Sequence, residues 1–193
     1  RGNSTAMLMA DMPFMSYSSP NDCLLNAARI MKEGKAEMVK LEWGELETDM
    51  VARLTQCGIP VCAHLGLTPQ AIHKYGGYRV QGRESESAQR MKQDARSLEE
   101  AGADMLLLEC VPSDLAAEIT RAASVPVIGI GAGSGCGGQI LVMADLLGMS
   151  GTMPGKLARS YTNMHDDAVE ALRQYIQDVH EGAFPAVENT YES

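Results

Sequence analysis

Four side chains that could bind a cation or move a proton each come at the end of an apolar run: Asp11, Glu42, His64 and Glu109. A carboxylate at Asp11 could coordinate a hard cation such as Mg²⁺ through oxygen. A neutral imidazole at His64 could donate a hydrogen bond to a carboxylate or carbonyl oxygen. Glu109 follows three leucines, and a carboxylate in such an apolar setting is a candidate general base.

Lys40 and Glu42 are two residues apart, so on a strand they would lie on the same face. Lys40 could neutralise an anionic substrate while Glu42 supports a metal or its waters, or the two could form a structural ion pair. Structural roles stay open for the other three residues as well. Asp11 could cap a turn, His64 could be a buried histidine with its hydrogen bonds satisfied, and Glu109 could cap the helix that follows it.

Two further segments could contact a ligand. Residues 73–83 carry Tyr78, Arg79 and Arg83 in an otherwise acidic protein, and they could receive a flat anionic cofactor or form a solvated loop. Residues 127–133 run from a strand into glycines, where backbone N–H groups could bind an anion or the chain could pack closely. A dinucleotide fold carries such glycines at its first strand-to-helix turn, so their late position argues against NAD.

The elements that must position these residues alternate between short strands and longer helices. The predicted strands are residues 7–10, 37–41, 60–63, 104–108 and 126–130, with a weaker candidate at 141–143. The predicted helices are residues 21–33, 46–56, 85–100, 113–123 and 166–181. Repeated strand-then-helix units predict a parallel sheet covered by helices.

The positions of the polar residues favour a barrel over an open sheet. A doubly wound sheet collects its ligands at one switch point, whereas a (β/α)8 barrel takes active-site residues from the ends of several strands. Asp11, Glu42, His64 and Glu109 follow four different predicted strands. We therefore expect a (β/α)8 TIM barrel formed by one domain, residues 1–193. Since a whole barrel takes about 250 residues, the chain is expected to lack its N-terminal one or two βα units.

The composition argues against several classes of protein. The 193 residues are 45% hydrophobic and 21% charged, as in an ordinary globular protein. A formal net charge of -9 would repel a polyphosphate backbone, so nucleic acid is not an expected partner. No apolar stretch approaches the roughly 20 residues that span a bilayer. Five cysteines without a CxxC pair predict reduced, mostly buried thiols in a cytoplasmic protein.

Six segments carry a more specific signal when they are taken in order. They are ADMPF from residue 10, VKLE from 39, HLGLTPQ from 64, GGYRVQGR from 76, LECVP from 108 and IGIGAG from 128. This series resembles the ketopantoate hydroxymethyltransferase (3-methyl-2-oxobutanoate hydroxymethyltransferase) family. The resemblance covers nearly the whole chain.

The resemblance implies a barrel of the phosphoenolpyruvate/pyruvate superfamily that assembles as a homodecamer and acts in pantothenate synthesis. The family moves a hydroxymethyl group from 5,10-methylenetetrahydrofolate to 3-methyl-2-oxobutanoate, giving 2-dehydropantoate through a Mg²⁺-stabilised enolate. By this resemblance Asp11 and Glu42 match the residues at the metal. Lys40 and His64, with Asp11, match the groups that hold the keto acid. Glu109 matches the proposed base.

The sequence departs from the family pattern in four places. The family's Val-Gly-Asp-Ser segment, with the first metal-ligand Asp and a substrate-contacting Ser, is absent from the 193 residues. Trp43 stands where the family usually has Gly, and we expect its indole to lie close to the metal. Gly137 takes the place of the usual Asp in an Asp-Gly-Gln turn, and Gly155 resembles an insertion, so loops near the mouth of the barrel are expected to differ.

Two other functions stay open at the level of sequence. The first is a related Mg²⁺-dependent keto-acid lyase of the same superfamily, which would need no folate. The second is a degenerate, non-catalytic subunit of an oligomer, suggested by the absent metal ligand and by Trp43.

Overall fold

The computed structural model describes residues 3–42, 47–152 and 155–191. The chain divides into two compact units, Arg1–Ile140 and Leu141–Ser193. The first unit carries the sheet and every candidate catalytic, metal-binding, substrate-binding and cofactor-binding residue named above. The assignment of residues 1–193 to a single domain stays a prediction.

The strands of the first unit form one parallel sheet. They are β1 (Met9–Asp11), β2 (Met38–Glu42), β3 (Val61–Gly66), β4 (Met105–Glu109), β5 (Val127–Ile130) and β6 (Gly138–Gln139). The first five begin within two residues of the predicted strands. They are short and apolar, with β2 buried along its whole length, as expected for strands of a parallel sheet.

The prediction of a strand at residues 141–143 is wrong. The sixth strand is β6, in which Gly138 lies opposite Ile128 and Gln139 lies opposite Gly129 of β5. A two-residue strand that contains a glycine has no alternation of side chains for sequence reasoning to detect. Met143 instead begins a short helix.

The strand order indicates how the sheet is wound. Strands β1 to β6 lie side by side in chain order, and every neighbouring pair is parallel. A doubly wound sheet would reverse its order at a switch point. The first unit is therefore an α/β fold whose six strands follow the order of a barrel. Closure into eight strands stays a prediction.

The helices connect these strands or follow them. They are α1 (Pro20–Gly34), α2 (Glu47–Gln56), α3 (Ile72–Tyr75), α4 (Ser85–Glu100), α5 (Ser113–Ala122), α6 (Met143–Leu146) and α7 (Met164–Glu181), with 3-10 turns at Pro69–Ala71 and Val187–Asn189. Local signals explain where α1 begins. Ser19 caps it by accepting a hydrogen bond from the N–H of Asp22, and Pro20 occupies its first turn, where the missing N–H costs nothing.

The two faces of the sheet have different partners. One face packs with α1, α2, α4 and α5 in a single hydrophobic cluster. Its strand residues in that cluster are Val39, Leu41, Val61, Ala63, Leu65, Leu106, Leu108 and Val127. Because side chains alternate along a strand, Lys40, Glu42, Cys62, His64 and Glu109 lie on the opposite face. We call this second face the site face.

The second unit contains α6 and α7. Residues 161–165 run along the end of α6, where the N–H of Tyr161 donates to the carbonyl of Leu146 at 2.8 Å and that of Met164 donates to the carbonyl of Leu147 at 3.1 Å. Helix α7 ends at Gly182, whose φ of 71° is left-handed. Across the described parts of the chain, none of the helices has the length and apolar character required to cross a membrane.

Candidate active site

Four polar side chains of the site face form one continuous line of contacts. Oδ1 of Asp11 lies 3.2 Å from Nζ of Lys40. The same Nζ lies 3.2 Å from Nδ1 of His64. Nε2 of His64 lies 3.3 Å from Oε2 of Glu109. Strands β1, β2, β3 and β4 each contribute one member, so the contacts cross four neighbouring strands.

The register of the strands explains this convergence. Asp11 lies opposite Lys40 in the β1–β2 pair, and Glu42 lies opposite His64 in the β2–β3 pair. In a parallel sheet such opposed residues point to the same face, and residues two apart on one strand share it too. Five polar residues from four strands therefore share the site face near the carboxyl ends of those strands, as in the active sites of barrel enzymes.

Burial makes these contacts energetically significant. Lys40 is 8% exposed, Glu42 7% and His64 1%. A buried charge without a partner is strongly destabilising, so Lys40 needs the carboxylate of Asp11 on one side and the ring nitrogen of His64 on the other. Asp11 itself is exposed, which leaves its second oxygen open to solvent or ligand.

The contact with Lys40 determines which ring nitrogen of His64 carries the proton. A lysine ammonium can only donate hydrogen bonds, so Nδ1 of His64 accepts and the ring proton lies on Nε2. Within the described residues Nε2 has no hydrogen-bond partner, although Oε2 of Glu109 is within ion-pair distance. A buried N–H donor next to a carboxylate is thus available for a ligand oxygen.

The carboxylate of Glu42 is held by a hydrogen bond from the turn that follows β3. Its Oε2 accepts a hydrogen bond of 2.8 Å from the backbone N–H of Gln70, in the turn after β3. Burial raises the pKa of the Glu42 carboxyl above its usual value. The Gln70 N–H and the nearby His64 and Lys40 act in the opposite direction.

Glu109 stands at a point where the backbone is constrained. Cys110, the next residue, has a φ of 51°, which is uncommon for any residue other than glycine. Two hydrogen bonds hold it there: its N–H donates to the carbonyl of Ile130, and its carbonyl accepts from the N–H of Gln81, both at 2.9 Å. Leu107, two residues before Glu109, is buried on the same face opposite His64, so the floor beneath the carboxylate is apolar.

The candidate cofactor residues Tyr78, Arg79 and Arg83 lie in the segment that connects α3 to α4. All three side chains are exposed, with Tyr78 at 74%. The segment is tied to the site through the hydrogen bond from Gln81 to Cys110, the residue after Glu109. The structure therefore brings this loop near Glu109.

The glycine-rich turn after β5 packs closely against α5. A Cβ atom at Gly133 would lie 2.6 Å from Cβ of Ser113, and one at Gly135 would lie 2.7 Å from Cβ of Ala117. These distances favour close packing, one of the two roles predicted for the segment, because any larger residue would push the turn away from the helix. Gly137 also lies in this turn, and Gly155 lies in the second unit.

The fit of a metal ion depends on Asp11 and Glu42. Among the residues described by the structure, no three His, Cys, Asp or Glu side chains form a metal-binding group. Mg²⁺ is commonly held by one or two carboxylates and completes its shell with substrate oxygens and water. Asp11 and Glu42 end adjacent strands and offer carboxylate oxygens, so their chemistry suits such an ion as a partial ligand set. Trp43, expected beside the metal, lies outside the described residues.

Sequence reasoning did not identify two residues of this region as part of the site, although Gln70 ends the HLGLTPQ segment. Gln70 contacts Glu42 across 28 positions of the chain, and neither its type nor its spacing predicts this. Cys62 lies opposite Lys40 on the site face and is fully buried. Burial raises the pKa of the Cys62 thiol to about 12, so it is neutral packing in this site.

The strand order and the polar cluster together define the class of protein. The first unit is an α/β fold of barrel type with polar side chains near the carboxyl ends of four neighbouring strands, where barrel enzymes carry their active sites. Among solved structures, a protein from Burkholderia cenocepacia assigned as a phosphonomutase aligns with a TM-score of 0.54 over 91% of this chain and 70% of that one, at 16% identity. This likeness supports the fold alone.

Comparison of the sequence with known proteins identifies the family to which the chain belongs. The ketopantoate hydroxymethyltransferase family model matches residues 1–187. Curated relatives named 3-methyl-2-oxobutanoate hydroxymethyltransferase include those of Alkalilimnicola ehrlichii, 54% identical over 97% of this chain and 68% of the relative, and Nitrosococcus oceani, 50% identical over 99% and 72%. One from Vibrio cholerae is 50% identical over 98% and 72%. The chain belongs to the ketopantoate hydroxymethyltransferase family of enzymes.

Proposed function

We propose that the chain transfers a hydroxymethyl group to 3-methyl-2-oxobutanoate, with 5,10-methylenetetrahydrofolate as donor and 2-dehydropantoate as product. Family membership and the names of the relatives support this reaction. The observation that carries it is the line of contacts from Asp11 through Lys40 and His64 to Glu109, since it joins a buried cation to a proton acceptor.

The same proposal extends to the surroundings of the site. The six strands in barrel order would belong to a closed eight-stranded barrel. The protein would act in the cytoplasm as a homo-oligomer, a decamer by family resemblance. Its partners would be the small keto acid and the folate.

Lys40 and His64 hold the keto acid in this proposal. The ammonium of Lys40 supplies the positive charge that an acidic protein needs in order to attract an anion. The Nε2–H of His64 donates to a substrate oxygen, which gives this buried donor the partner that it lacks among the described residues. Asp11 holds the ammonium in place through its contact with Nζ.

Glu109 is the proposed base and takes the proton from C3 of the keto acid. The electrons of the C–H bond move toward the keto oxygen, and C3 then attacks the methylene carbon of the folate. Over the whole reaction, water supplies the hydroxyl oxygen and both carbon–nitrogen bonds of the methylene group break to release tetrahydrofolate. The Glu109 side chain is 14% exposed and lies next to the buried Leu107, and reduced hydration of the carboxylate favours proton transfer from carbon.

Asp11 and Glu42 would hold Mg²⁺, which when bound supplies Lewis acidity to the keto oxygen and makes the C3 proton more acidic. Tyr78, Arg79 and Arg83 would receive the folate, whose flat ring suits stacking and whose carboxylates suit arginine. The exposure of all three side chains, and the hydrogen bond that ties their loop to Cys110, support this assignment.

Loss of deuterium from C3 of labelled 3-methyl-2-oxobutanoate tests the role of Glu109 without requiring the folate step. Glu109→Gln is expected to slow this loss by roughly 10²- to 10⁴-fold, the usual contribution of a positioned base. Glu118→Gln is the matched control, because Glu118 pairs with Lys92 away from the site face. Its exchange rate should equal that of the unmodified chain.

Two results would contradict the proposal. Exchange that survives in Glu109→Gln would remove this residue as the base. Cleavage of the keto acid without any requirement for 5,10-methylenetetrahydrofolate would indicate a keto-acid lyase. Product analysis with and without the folate distinguishes the two reactions.

A further inference from the structure

Gln70 makes hydrogen bonds to three residues in two separate parts of the chain. Its backbone N–H donates to Oε2 of Glu42 at 2.8 Å. Its side-chain Nε2 donates to the carbonyl oxygen of Met12 at 2.9 Å. Its Oε1 accepts from the hydroxyl of Tyr17 at 2.6 Å. One residue in the turn after β3 is therefore bonded to the end of β2 and to the loop that follows β1.

The contact with Met12 fixes the backbone beside Asp11. Met12 is fully buried, and its N–H donates to the carbonyl of Lys40 at 2.9 Å. With its N–H bonded to β2 and its carbonyl bonded to Gln70, both backbone polar groups of Met12 are satisfied. The backbone that directly follows Asp11 is therefore held in place.

The backbone and the side chain of Gln70 hold different parts of the site. The backbone N–H holds the Glu42 carboxylate directly, whereas the side-chain amide holds the loop that begins directly after Asp11. Gln70 is partly buried, and an amide in such a position that lost its partners would leave unsatisfied polar groups on both sides. These contacts link the carboxylates of Asp11 and Glu42, which would hold the metal in the proposed function.

We propose that Gln70 is a positioning residue that sets the spacing between the carboxylates of Asp11 and Glu42. The expected effect on Mg²⁺ binding rests on the metal site of the proposed function. The expected effect on the loop after β1 does not depend on it. Residues that orient metal ligands from outside typically change metal affinity 10- to 100-fold when they are replaced. Gln70 would act in this way through Glu42 and through the loop at Met12.

Titration calorimetry with Mg²⁺ alone tests the metal part. Gln70→Leu has nearly the same size and keeps the backbone N–H, but it removes both side-chain hydrogen bonds. It is expected to weaken Mg²⁺ binding by roughly 10- to 100-fold. The matched control is Gln93→Leu, since Gln93 is exposed on α4 and bonds only weakly to Ser97 at 3.4 Å. The control should bind Mg²⁺ with unchanged affinity.

Amide hydrogen exchange tests the structural part independently of any metal. In Gln70→Leu the amides of residues 12–18 should exchange at least about tenfold faster, because the loop loses its tie to the turn after β3. Tyr17→Phe, which removes only the hydroxyl donor, should give a smaller increase. Far-ultraviolet circular dichroism verifies that each variant remains folded.

The outcomes separate the two ideas. Unchanged exchange at residues 12–18 would overturn the positioning role, whatever the metal does. Faster exchange with unchanged Mg²⁺ affinity would also overturn it, because the loop would then move without affecting the ligands. Failure of the unmodified chain to bind Mg²⁺ would instead contradict the metal assignment of the proposed function, and exchange alone would then decide the role of Gln70.

Discussion

The ammonium of Lys40 and the ring of His64 meet at 3.2 Å between Nζ and Nδ1, inside the protein and on neighbouring strands. Since the ammonium has no acceptor to offer, the pair is compatible with only one neutral tautomer of the imidazole. The proton on Nε2 then faces the carboxylate of Glu109. The ammonium of Lys40, the N–H donor of His64 and the carboxylate of Glu109 thus follow one another across three strands.

Replacing Lys40 should allow His64 to adopt both of its neutral tautomers. In the unmodified chain, ¹⁵N NMR should show the Nε2–H form of His64. Lys40→Met should give a mixture of both forms, because Nδ1 loses its donor. The same variant should bind 3-methyl-2-oxobutanoate roughly 10- to 100-fold more weakly, since hydrogen bonds to charged groups contribute about 1.5–3 kcal/mol. His73, exposed on α3, serves as the internal control. An unaltered His64 spectrum would show that Lys40 does not set the tautomer.

Gly66 should be far less replaceable than Gly58. Both have a positive φ, of 96° and 78°. A Cβ at Gly66 would collide with the carbonyl oxygen of Glu109 and lie 2.8 Å from Cγ2 of Val111, whereas nothing lies within 4 Å of one at Gly58. Gly58→Ala should therefore lose about 1–2 kcal/mol of stability from backbone strain alone. Gly66→Ala should lose at least about 3 kcal/mol, because a clash adds to the strain.

Urea denaturation measures both losses. The exchange reaction at C3 should also slow in Gly66→Ala, since the clash pushes on the backbone of Glu109. Equal destabilisation of the two variants would show that β3 and β4 can separate at no cost.

Cys62 should resist alkylation until the protein unfolds. Its thiol is buried and its pKa is raised to about 12, so at pH 8 the thiolate fraction is on the order of 10⁻⁴. Iodoacetamide at pH 8 should therefore label Cys57, which is exposed, and leave Cys62 unmodified. Since the folded pKa lies above that of the unfolded thiol, the stability contributed by the neutral form falls as the pH rises from about 9 toward 12. Mass spectrometry of peptides locates the label, and early modification of Cys62 would contradict its burial.

The sequence is informative where side chains follow a simple period. The five longer strands and helix α4 could be located because apolar runs and amphipathic stretches have a regular spacing. The same runs place Asp11, Glu42 and Glu109 at strand ends, which is where the structure has them. His64 was expected at the end of its strand and lies two residues before it, because β3 continues to Gly66.

The sequence is uninformative where contacts depend on register. Nothing in the pattern says that Lys40 lies between Asp11 and His64 instead of pairing with Glu42, because this follows from which residues face each other across strands. The contact between Gln70 and Glu42 joins a backbone N–H to a side chain, and a backbone donor is present at almost any residue. The left-handed Cys110 is likewise imposed by hydrogen bonds to Ile130 and Gln81, not by its own preference.

The loop with Tyr78, Arg79 and Arg83 should affect the folate and not the keto acid. Replacing Arg79 or Arg83 by Ala should raise the KM for 5,10-methylenetetrahydrofolate by roughly fivefold each, because an exposed ion pair contributes up to about 1 kcal/mol. The rate of deuterium loss from C3 should stay unchanged, since that step needs only the site face. Arg121→Ala, on the exposed side of α5, is the control and should alter neither quantity. If the arginine variants slow exchange and leave the KM for folate unchanged, the loop acts on Glu109 through Gln81 and Cys110, and the donor binds elsewhere.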